Sequence, residues 1–155
     1  MKNIIKLLLL FTMINVQCAF AAQEFIPPGS VSVDPCQTIV HNYTPINIAT
    51  TAPQIIIPLV SAKKTYICSI YLKIASTMNI AMVEGTLIST NCDTATAGLS
   101  GGTTAATGWQ FSSNQDLRQG DGSFAVAATA MVAHDVCLLM SGSGQVSGNV
   151  VWVQK

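Results

Sequence analysis

The stretch Thr65-Tyr66-Ile67-Cys68-Ser69-Ile70-Tyr71-Leu72-Lys73-Ile74 decides the fold that the sequence predicts. β-Branched and aromatic residues dominate it, and it contains no glycine or proline. Read with a period of two, one face is apolar, whereas the other face includes Ser69 and Lys73. The apolar face comprises Tyr66, Cys68, Ile70, Leu72 and Ile74. This pattern is typical of a long strand whose apolar face packs against a second sheet.

Short strand-like segments lie on both sides of this stretch, with turn signals at the spacing of about 8–12 residues that is typical of all-β domains. They are 46–49, 54–60, 78–83, 105–111, 123–132, 136–140 and 146–153. The segment 89–104, rich in Ser, Thr, Gly and Ala, is the longest predicted loop, and 112–122 is predicted to be a polar turn region. The Ala-rich segment 123–132 also suits a helix, but its length and flanking glycine favour a strand. We therefore predict an all-β domain of about eight strands, a two-sheet β-sandwich that is most simply a jelly roll.

The N-terminal residues predict export. A basic start, an apolar run over 4–14 and the motif Ala19-Phe20-Ala21 together form a secretory signal peptide, cut after Ala21 or Ala22. The apolar run is shorter than the roughly 20 residues that span a membrane, so a retained anchor is the less favoured alternative. The predicted division is a signal peptide over 1–22, an extended leader over 23–35 and a β-sandwich domain over 36–155.

Charge is scarce in the mature chain. The sequence has seven basic and seven acidic residues, and two of the basic ones, Lys2 and Lys6, lie in the predicted signal, which leaves five against seven and a net charge of −2. Nucleic acid is therefore not expected as a partner, because it would require a basic face. Charged residues make up 9% of the chain, against a usual value of about 25%. Such a surface suits a protein that works in an assembly or meets other surfaces outside the cell, with no membrane contact after cleavage.

Four cysteines remain after cleavage: Cys36, Cys68, Cys92 and Cys137. An oxidising compartment and an even number favour two disulfides, and three pairings are open. The sequential pairing, Cys36 with Cys68 and Cys92 with Cys137, is preferred because its loops do not cross. Buried free thiols are the alternative, whereas zinc is disfavoured because no two cysteines have C-x-x-C spacing. The fifth cysteine, Cys18, follows Gln17 rather than a small residue, so we do not expect lipidation.

A set of short motifs in a fixed order resembles that of a known group of proteins. The motifs are Tyr66-Ile67-Cys68-Ser69, Val83-Glu84-Gly85-Thr86, Asn91-Cys92-Asp93-Thr94-Ala95-Thr96, Val136-Cys137-Leu138 and Val146-Ser147-Gly148-Asn149-Val150. The chain from Cys36 to Gln154 resembles small β-sandwich proteins of uncharacterised function that are common in bacteriophage, prophage and environmental bacterial sequences. The resemblance implies an all-β fold and a virion-associated or surface role. It implies no reaction and no site residues.

Motifs for catalysis and metal binding lack the context that such sites need. Gly98-Leu99-Ser100-Gly101-Gly102 matches G-x-S-x-G, but a nucleophile elbow needs a buried strand before it and a helix after it. His41 and His134-Asp135 are the only histidine-containing positions, and their spacing does not indicate a metal site. His134-Asp135 is instead predicted to lie in a hairpin turn, and Gly120-Asp121-Gly122 in a tight turn. No calcium site is predicted either, because Asp116, Asp121 and Asp135 are scattered. We expect no catalytic residue, no metal and no cofactor.

Several aromatic residues could build a platform for sugars: Tyr66, Tyr71, Trp109, Phe124 and Trp152. Their period-two placement favours core positions instead, with Tyr71 on the more polar face as the exception. The sequence thus predicts an exported, non-enzymatic structural or surface-binding module. The alternatives are a virion decoration or fibre-associated protein, a carbohydrate-binding module and a secreted hydrolase that uses Ser100. The expected partners are further copies of the chain, other surface or virion proteins, or glycans. Self-association is expected because the last strand, with Val151 and Val153, is apolar on both faces.

Overall fold

The computed structural model describes residues 33–155. The predicted signal peptide, Cys18 and the leader as far as residue 32 lie outside the described residues. One short α-helix, one 3-10 helix (Ala105–Thr107) and ten strands occur in this part of the chain. They are α1 (Pro35–Thr38), β1 (Asn42–Ile48), β2 (Gln54–Ile57), β3 (Thr65–Ile74), β4 (Met78–Thr86), β5 (Thr94–Ser100), β6 (Trp109–Phe111), β7 (Gln115–Gln119), β8 (Ala127–Ala128), β9 (Asp135–Met140) and β10 (Val146–Gln154). Among these residues, none of the helices has the length and apolar character needed to cross a membrane.

The strands form two five-stranded antiparallel sheets. In sheet A the order is β1-β10-β3-β7, with β8 also paired to β3; in sheet B it is β2-β9-β4-β5, with β6 also paired to β4. The pairing is nested, since β1 meets β10, β2 meets β9, β3 meets β7 and β8, and β4 meets β5 and β6. This is the strand order of a jelly roll. The predicted all-β sandwich is confirmed, with ten strands rather than about eight.

The central strand β3 changes face at a bulge. Trp152 pairs with Ile67 and Val151 with Ser69, so Cys68 is an extra residue without a partner on β10. The extra residue of a bulge shifts the alternation of side chains by one position, so residues before and after it follow different odd–even patterns. Ile67 is therefore buried in the main core, whereas Tyr66 and Cys68 pack in a second cluster. The expectation that Tyr66 and Cys68 share a face with Ile70 is wrong, because strict alternation does not account for the bulge.

Three segments differ from the sequence prediction. The predicted loop 89–104 contains β5, and the predicted turn region 112–122 contains β7; each lies at the end of its sheet's strand order. Their residues are mostly exposed or half-buried, so neither strand needs an apolar sequence. Conversely, the predicted strand 123–132 keeps only the two residues of β8. Phe124 and Met131 are exposed there, and a side-chain carboxylate rather than a strand accepts the N–H groups of Ala130 and Met131.

The main core lies between the sheets, and two smaller clusters cover their outer faces. On the outside of sheet A, Val151 and Val153 pack with Cys36 and Cys68 and with the half-buried residues Ile39, Tyr66 and Ala125. Val153 is fully buried and Val151 is 8% exposed. The expectation that the second face of β10 needs cover from another subunit is therefore wrong, because α1 and the residues around Ala125 cover it. Self-association remains a prediction without that support.

Two disulfides join the outer layers to the sheets. Cys36–Cys68 fixes α1 to the bulge of β3, and Cys92–Cys137 fixes the segment after β4 to β9. The presence of two disulfides is confirmed, and they join the cysteines of the predicted sequential pairing. Two disulfides fit an oxidising location outside the cytoplasm.

Candidate functional site

A pocket of about 490 Å³ opens on the outer face of sheet A, beside the Cys36–Cys68 disulfide. This volume falls in the range of about 300–1,000 Å³ that is usual for ligand pockets. Residues from α1, the segment after it, β1, β3, β10 and the segment after β7 line the pocket. They are Cys36, Gln37, His41, Tyr43, Ser69, Asp121, Gly122, Ser123 and Val151.

Asp34 ties together the two segments that flank the pocket. Its Oδ1 caps α1 by accepting the backbone N–H of Cys36 at 2.9 Å. Its Oδ2 accepts the N–H of Ala125 at 3.0 Å, in the segment that follows the opposite wall. One carboxylate thus fixes both segments, and the disulfide between Cys36 and Cys68 fixes the floor. Asp34, which lies in the predicted leader over 23–35, therefore packs as part of the folded domain.

The wall opposite α1 is a glycine-dependent turn. Gly120 and Gly122 have φ angles of +72° and +94°, a region that non-glycine residues rarely adopt. A Cβ atom on Gly120 would lie 2.3 Å from the carbonyl oxygen of Cys68, so the turn lies directly on β3. The Gly122 N–H donates to that carbonyl at 3.2 Å. The tight turn predicted for Gly120-Asp121-Gly122 is therefore also a pocket wall, and it presents the Asp121 side chain.

The pocket offers one carboxylate and one oriented imidazole. The N–H of Ser123 donates to Asp121 Oδ1 at 2.8 Å, and this hydrogen bond lowers the pKa of Asp121. Asp121 is therefore ionised at neutral pH. His41 Nε2 lies 2.7 Å from the carbonyl oxygen of Cys36, and because a carbonyl only accepts, Nε2 carries the proton. In the neutral ring, Nδ1 is then an acceptor.

Tyr43 is the aromatic residue of the site, and it is 67% exposed. It pairs with Val151 of β10, which in turn pairs with Ser69 of β3, so the three residues form a row across the strands. The sequence prediction did not select Tyr43. Extending the alternation of Ile46 and Ile48 back along β1 would have placed Tyr43 on the outer face, where an exposed ring indicates binding.

The aromatic residues form no shared platform, and the predicted core positions are confirmed for Trp109 and Trp152 but wrong for Phe124. Trp109 and Trp152 pack against the main core, and Trp152 Nε1 donates to Thr44 Oγ1 at 2.9 Å. Tyr66 packs in the outer cluster of sheet A, and Phe124 is 58% exposed. The Arg118 guanidinium lies 4.7 Å from the centre of the Tyr71 ring and covers one face of that ring.

The residues of the disfavoured catalytic and metal-binding alternatives lie apart. Ser100 Oγ contacts Gln119 Oε1 at 3.4 Å, whereas His41 contacts the carbonyl of Cys36 and His134 faces Glu84. No histidine in residues 33–155 is hydrogen-bonded to Ser100. The same part of the chain contains no group of three or more His, Cys, Asp or Glu side chains that could hold a metal ion.

A second polar cluster lies around Glu84 of β4, an inner strand of sheet B. This side chain is 2% exposed, and its oxygens accept the N–H groups of Ala130 at 2.9 Å and Met131 at 3.4 Å. His134 Nδ1 lies 3.2 Å from Glu84 Oε2 but forms no hydrogen bond. Nearby, the buried Asp135 accepts the N–H of Leu59 at 2.8 Å. Both carboxylates hold loops, so this cluster has a structural role.

We expect Glu84→Gln to destabilise the protein by about 1–3 kcal/mol in denaturant unfolding. The amide keeps one accepting oxygen but places an NH₂ group where the carboxylate accepted a backbone N–H, so one buried donor loses its partner. Asp116→Asn is the control, because Asp116 forms an exposed pair with Lys73 at 3.0 Å and such pairs contribute about 0–1 kcal/mol. Equal effects of the two substitutions would contradict the structural role of Glu84.

Asp93 organises the segment after β4 and gives a pH prediction. Its carboxylate accepts the Ser89 hydroxyl and the backbone N–H groups of Ile88, Ser89 and Thr90, at 2.7–2.9 Å. The Ser89 hydroxyl, followed by these N–H groups, holds the pKa of Asp93 well below its ordinary value. A lowered folded-state pKa stabilises the fold above the unfolded value of about 3.9, and this contribution is lost as the pH falls below it.

We therefore expect the Asp93 carboxyl carbon, followed by NMR, to titrate below pH 3.9. Ser89→Ala should move the midpoint upward, because it removes the largest of the stabilising hydrogen bonds. A midpoint that is unchanged in Ser89→Ala would show that the hydroxyl does not set the pKa.

No protein family, no curated protein and no solved structure matches this chain. Within the described residues, the pocket beside Cys36–Cys68 combines a concave shape, an ionised side chain and an exposed aromatic ring, which are the features of a binding site.

Proposed function

We propose that this chain is an exported, non-enzymatic surface-binding module, and that the pocket on sheet A is its contact site. The observation that carries the proposal is the pocket itself, in which Tyr43, Asp121 and His41 meet over a floor fixed by a disulfide. Its polar groups come from separate segments that Asp34 and Cys36–Cys68 hold in place. A site fixed in this way binds with little ordering cost.

Two further features support export and a role outside the cell. The N-terminal sequence has the three parts of a signal peptide, and the two disulfides fit an oxidising compartment. The low charge of the mature chain suits contact with other surfaces, as in an assembly. Binding rather than catalysis is proposed because the polar groups of the pocket include no nucleophile hydrogen-bonded to a base among the described residues.

The test is the binding of the purified exported protein, fluorescently labelled, to intact bacterial cells that include the producing strain. We expect saturable binding that is lost in Tyr43→Ala. Tyr71→Ala is the matched control, because Tyr71 is also on the outer face of sheet A but does not line the pocket. Absence of saturable binding, or equal loss in both variants, would contradict the proposal.

A further inference from the structure

We propose that the pocket binds an uncharged sugar, such as a hexose or an N-acetylhexosamine unit of a surface glycan. This inference rests on the proposed function and names the ligand class of the same site. It follows from three properties of the lining: its charge, its hydrogen-bonding groups and its one exposed ring.

The charge of the lining disfavours acidic ligands. Asp121 is ionised, and the residues that line the pocket include no lysine or arginine. A uronate or phosphate would bring a second negative charge beside Asp121 without a cation to balance it. Arg118, the basic residue nearest to Asp121 in the sequence, stacks on Tyr71 and does not line the pocket.

The hydrogen-bonding groups match a ligand that carries several hydroxyls. Gln37, Ser69 and Ser123 have side chains that both donate and accept, and His41 Nδ1 accepts when the ring is neutral. The Asp121 carboxylate has accepting capacity beyond the bond from Ser123, since its two oxygens have about four lone-pair sites. Hydroxyl groups are the ligand groups that satisfy both kinds of partner, because each donates one hydrogen and accepts others. Hydrogen bonds to an ionised carboxylate are the strongest of these.

Tyr43 supplies the apolar contact that a sugar also needs. A pyranose has one face of C–H groups, and a tyrosine ring is a rigid, amphipathic surface for such a face. Because Tyr43, Val151 and Ser69 form one row across three strands, the residues that carry the ring and the hydroxyl lie on opposite sides of Val151. With adjacent strands about 4.8 Å apart, Tyr43 and Ser69 are separated by about 10 Å at the backbone, which leaves room for one sugar ring between them.

The test is an NMR titration of the purified exported protein with glucose, galactose, mannose, N-acetylglucosamine, glucuronate and glucosamine. We expect saturable shifts of the amides of Ser69, Gly122 and Ser123 with at least one neutral sugar, at a Kd on the order of 1 mM, which is usual for so small a ligand in an open site. Glucuronate should bind at least about tenfold more weakly than glucose, because of Asp121.

Two pairs of variants separate a binding role from a structural role. Tyr43→Ala and Asp121→Asn should each weaken binding about tenfold or more, since charge-assisted hydrogen bonds and aromatic contacts are worth that much. Tyr71→Ala and Asp116→Asn are the matched controls outside the pocket and should leave binding unchanged. Asp121→Asn keeps the acceptor for the Ser123 N–H, so the turn is retained. Asp121→Asn should also reduce the ratio between the Kd values of glucuronate and glucose.

Several outcomes would overturn the ligand class. They are no saturable shift with any neutral sugar, shifts that lie outside the pocket, tighter binding of glucuronate, or binding of glucosamine alone, which would indicate a cation site. If sugars fail while cell binding remains dependent on Tyr43, the ligand class is wrong and the surface-binding function stands. If cell binding also fails, the proposed function falls with it.

Discussion

Gly148→Ala is expected to destabilise the protein by about 3–5 kcal/mol, a large part of the 5–15 kcal/mol that is typical of a domain. Gly148 lies in β10, the strand between β1 and β3, where it pairs with Ile46 and Leu72. Its φ angle is +154°, and a Cβ atom would lie 1.9 Å from the carbonyl oxygen of Tyr71. The alanine methyl group can be accommodated only if β10 and β3 separate, which breaks the ladder at the centre of sheet A.

Gly142→Ala is the matched control for this prediction. Gly142 lies in the turn between β9 and β10, and its nearest contact for a Cβ atom is Met78 Cβ at 3.4 Å, an ordinary van der Waals distance. Its substitution should leave stability unchanged or raise it by up to about 1 kcal/mol, because alanine reduces the entropy of the unfolded chain. Urea unfolding of both variants provides the measurement. A Gly148→Ala protein as stable as Gly142→Ala would show that β10 and β3 do not approach so closely.

Removal of either disulfide is expected to reduce stability by about 3–4 kcal/mol, but only one removal should affect the pocket. The bridges close loops with sequence separations of 32 and 45 residues, and the entropy of loops of these lengths predicts similar losses. Replacement of Cys36 and Cys68 by alanine also removes the covalent bond between β3 and α1, which lines the pocket through Cys36 and Gln37. Replacement of Cys92 and Cys137 releases a segment on sheet B, away from the residues that line the pocket.

Two measurements separate the effect on stability from the effect on the pocket. Urea unfolding gives the stability of each variant, and a binding assay at urea concentrations below the unfolding transition tests the pocket. The Cys36/Cys68 variant should be less stable and should not bind, whereas the Cys92/Cys137 variant should be equally destabilised and should bind like the unmodified protein. Equal loss of binding in both variants would show that the pocket depends on overall stability and not on its local floor.

Sequence periodicity predicted the fold but not the details of the strands. The apolar residues of β3 and β10 identify both strands, because each is central in a sheet and packs on the core. The bulge at Cys68 leaves no signal in a pattern of period two, since it depends on the pairing with β10. The strands β5 and β7 are edge strands with one apolar anchor each, Leu99 and Leu117, so their composition resembles that of loops.

The candidate site was harder to predict because its residues come from distant segments. The lining residues meet only because α1 and the turn after β7 fold against β3. They include Gln37, His41, Ser69, Asp121 and Ser123. No spacing in the sequence connects them. The two histidines also lie at separate sites, His41 at the pocket and His134 beside Glu84.

The position of β10 has a consequence for the time at which the chain can fold. Strand β10 lies between β1 and β3, so sheet A lacks its middle until residues 146–154 are available. Contacts between residues as far apart as Asn42 and Trp152 form slowly, because a long loop must close first. Until these residues pair, the edges of β1 and β3 that face β10 have no strand partner in sheet A.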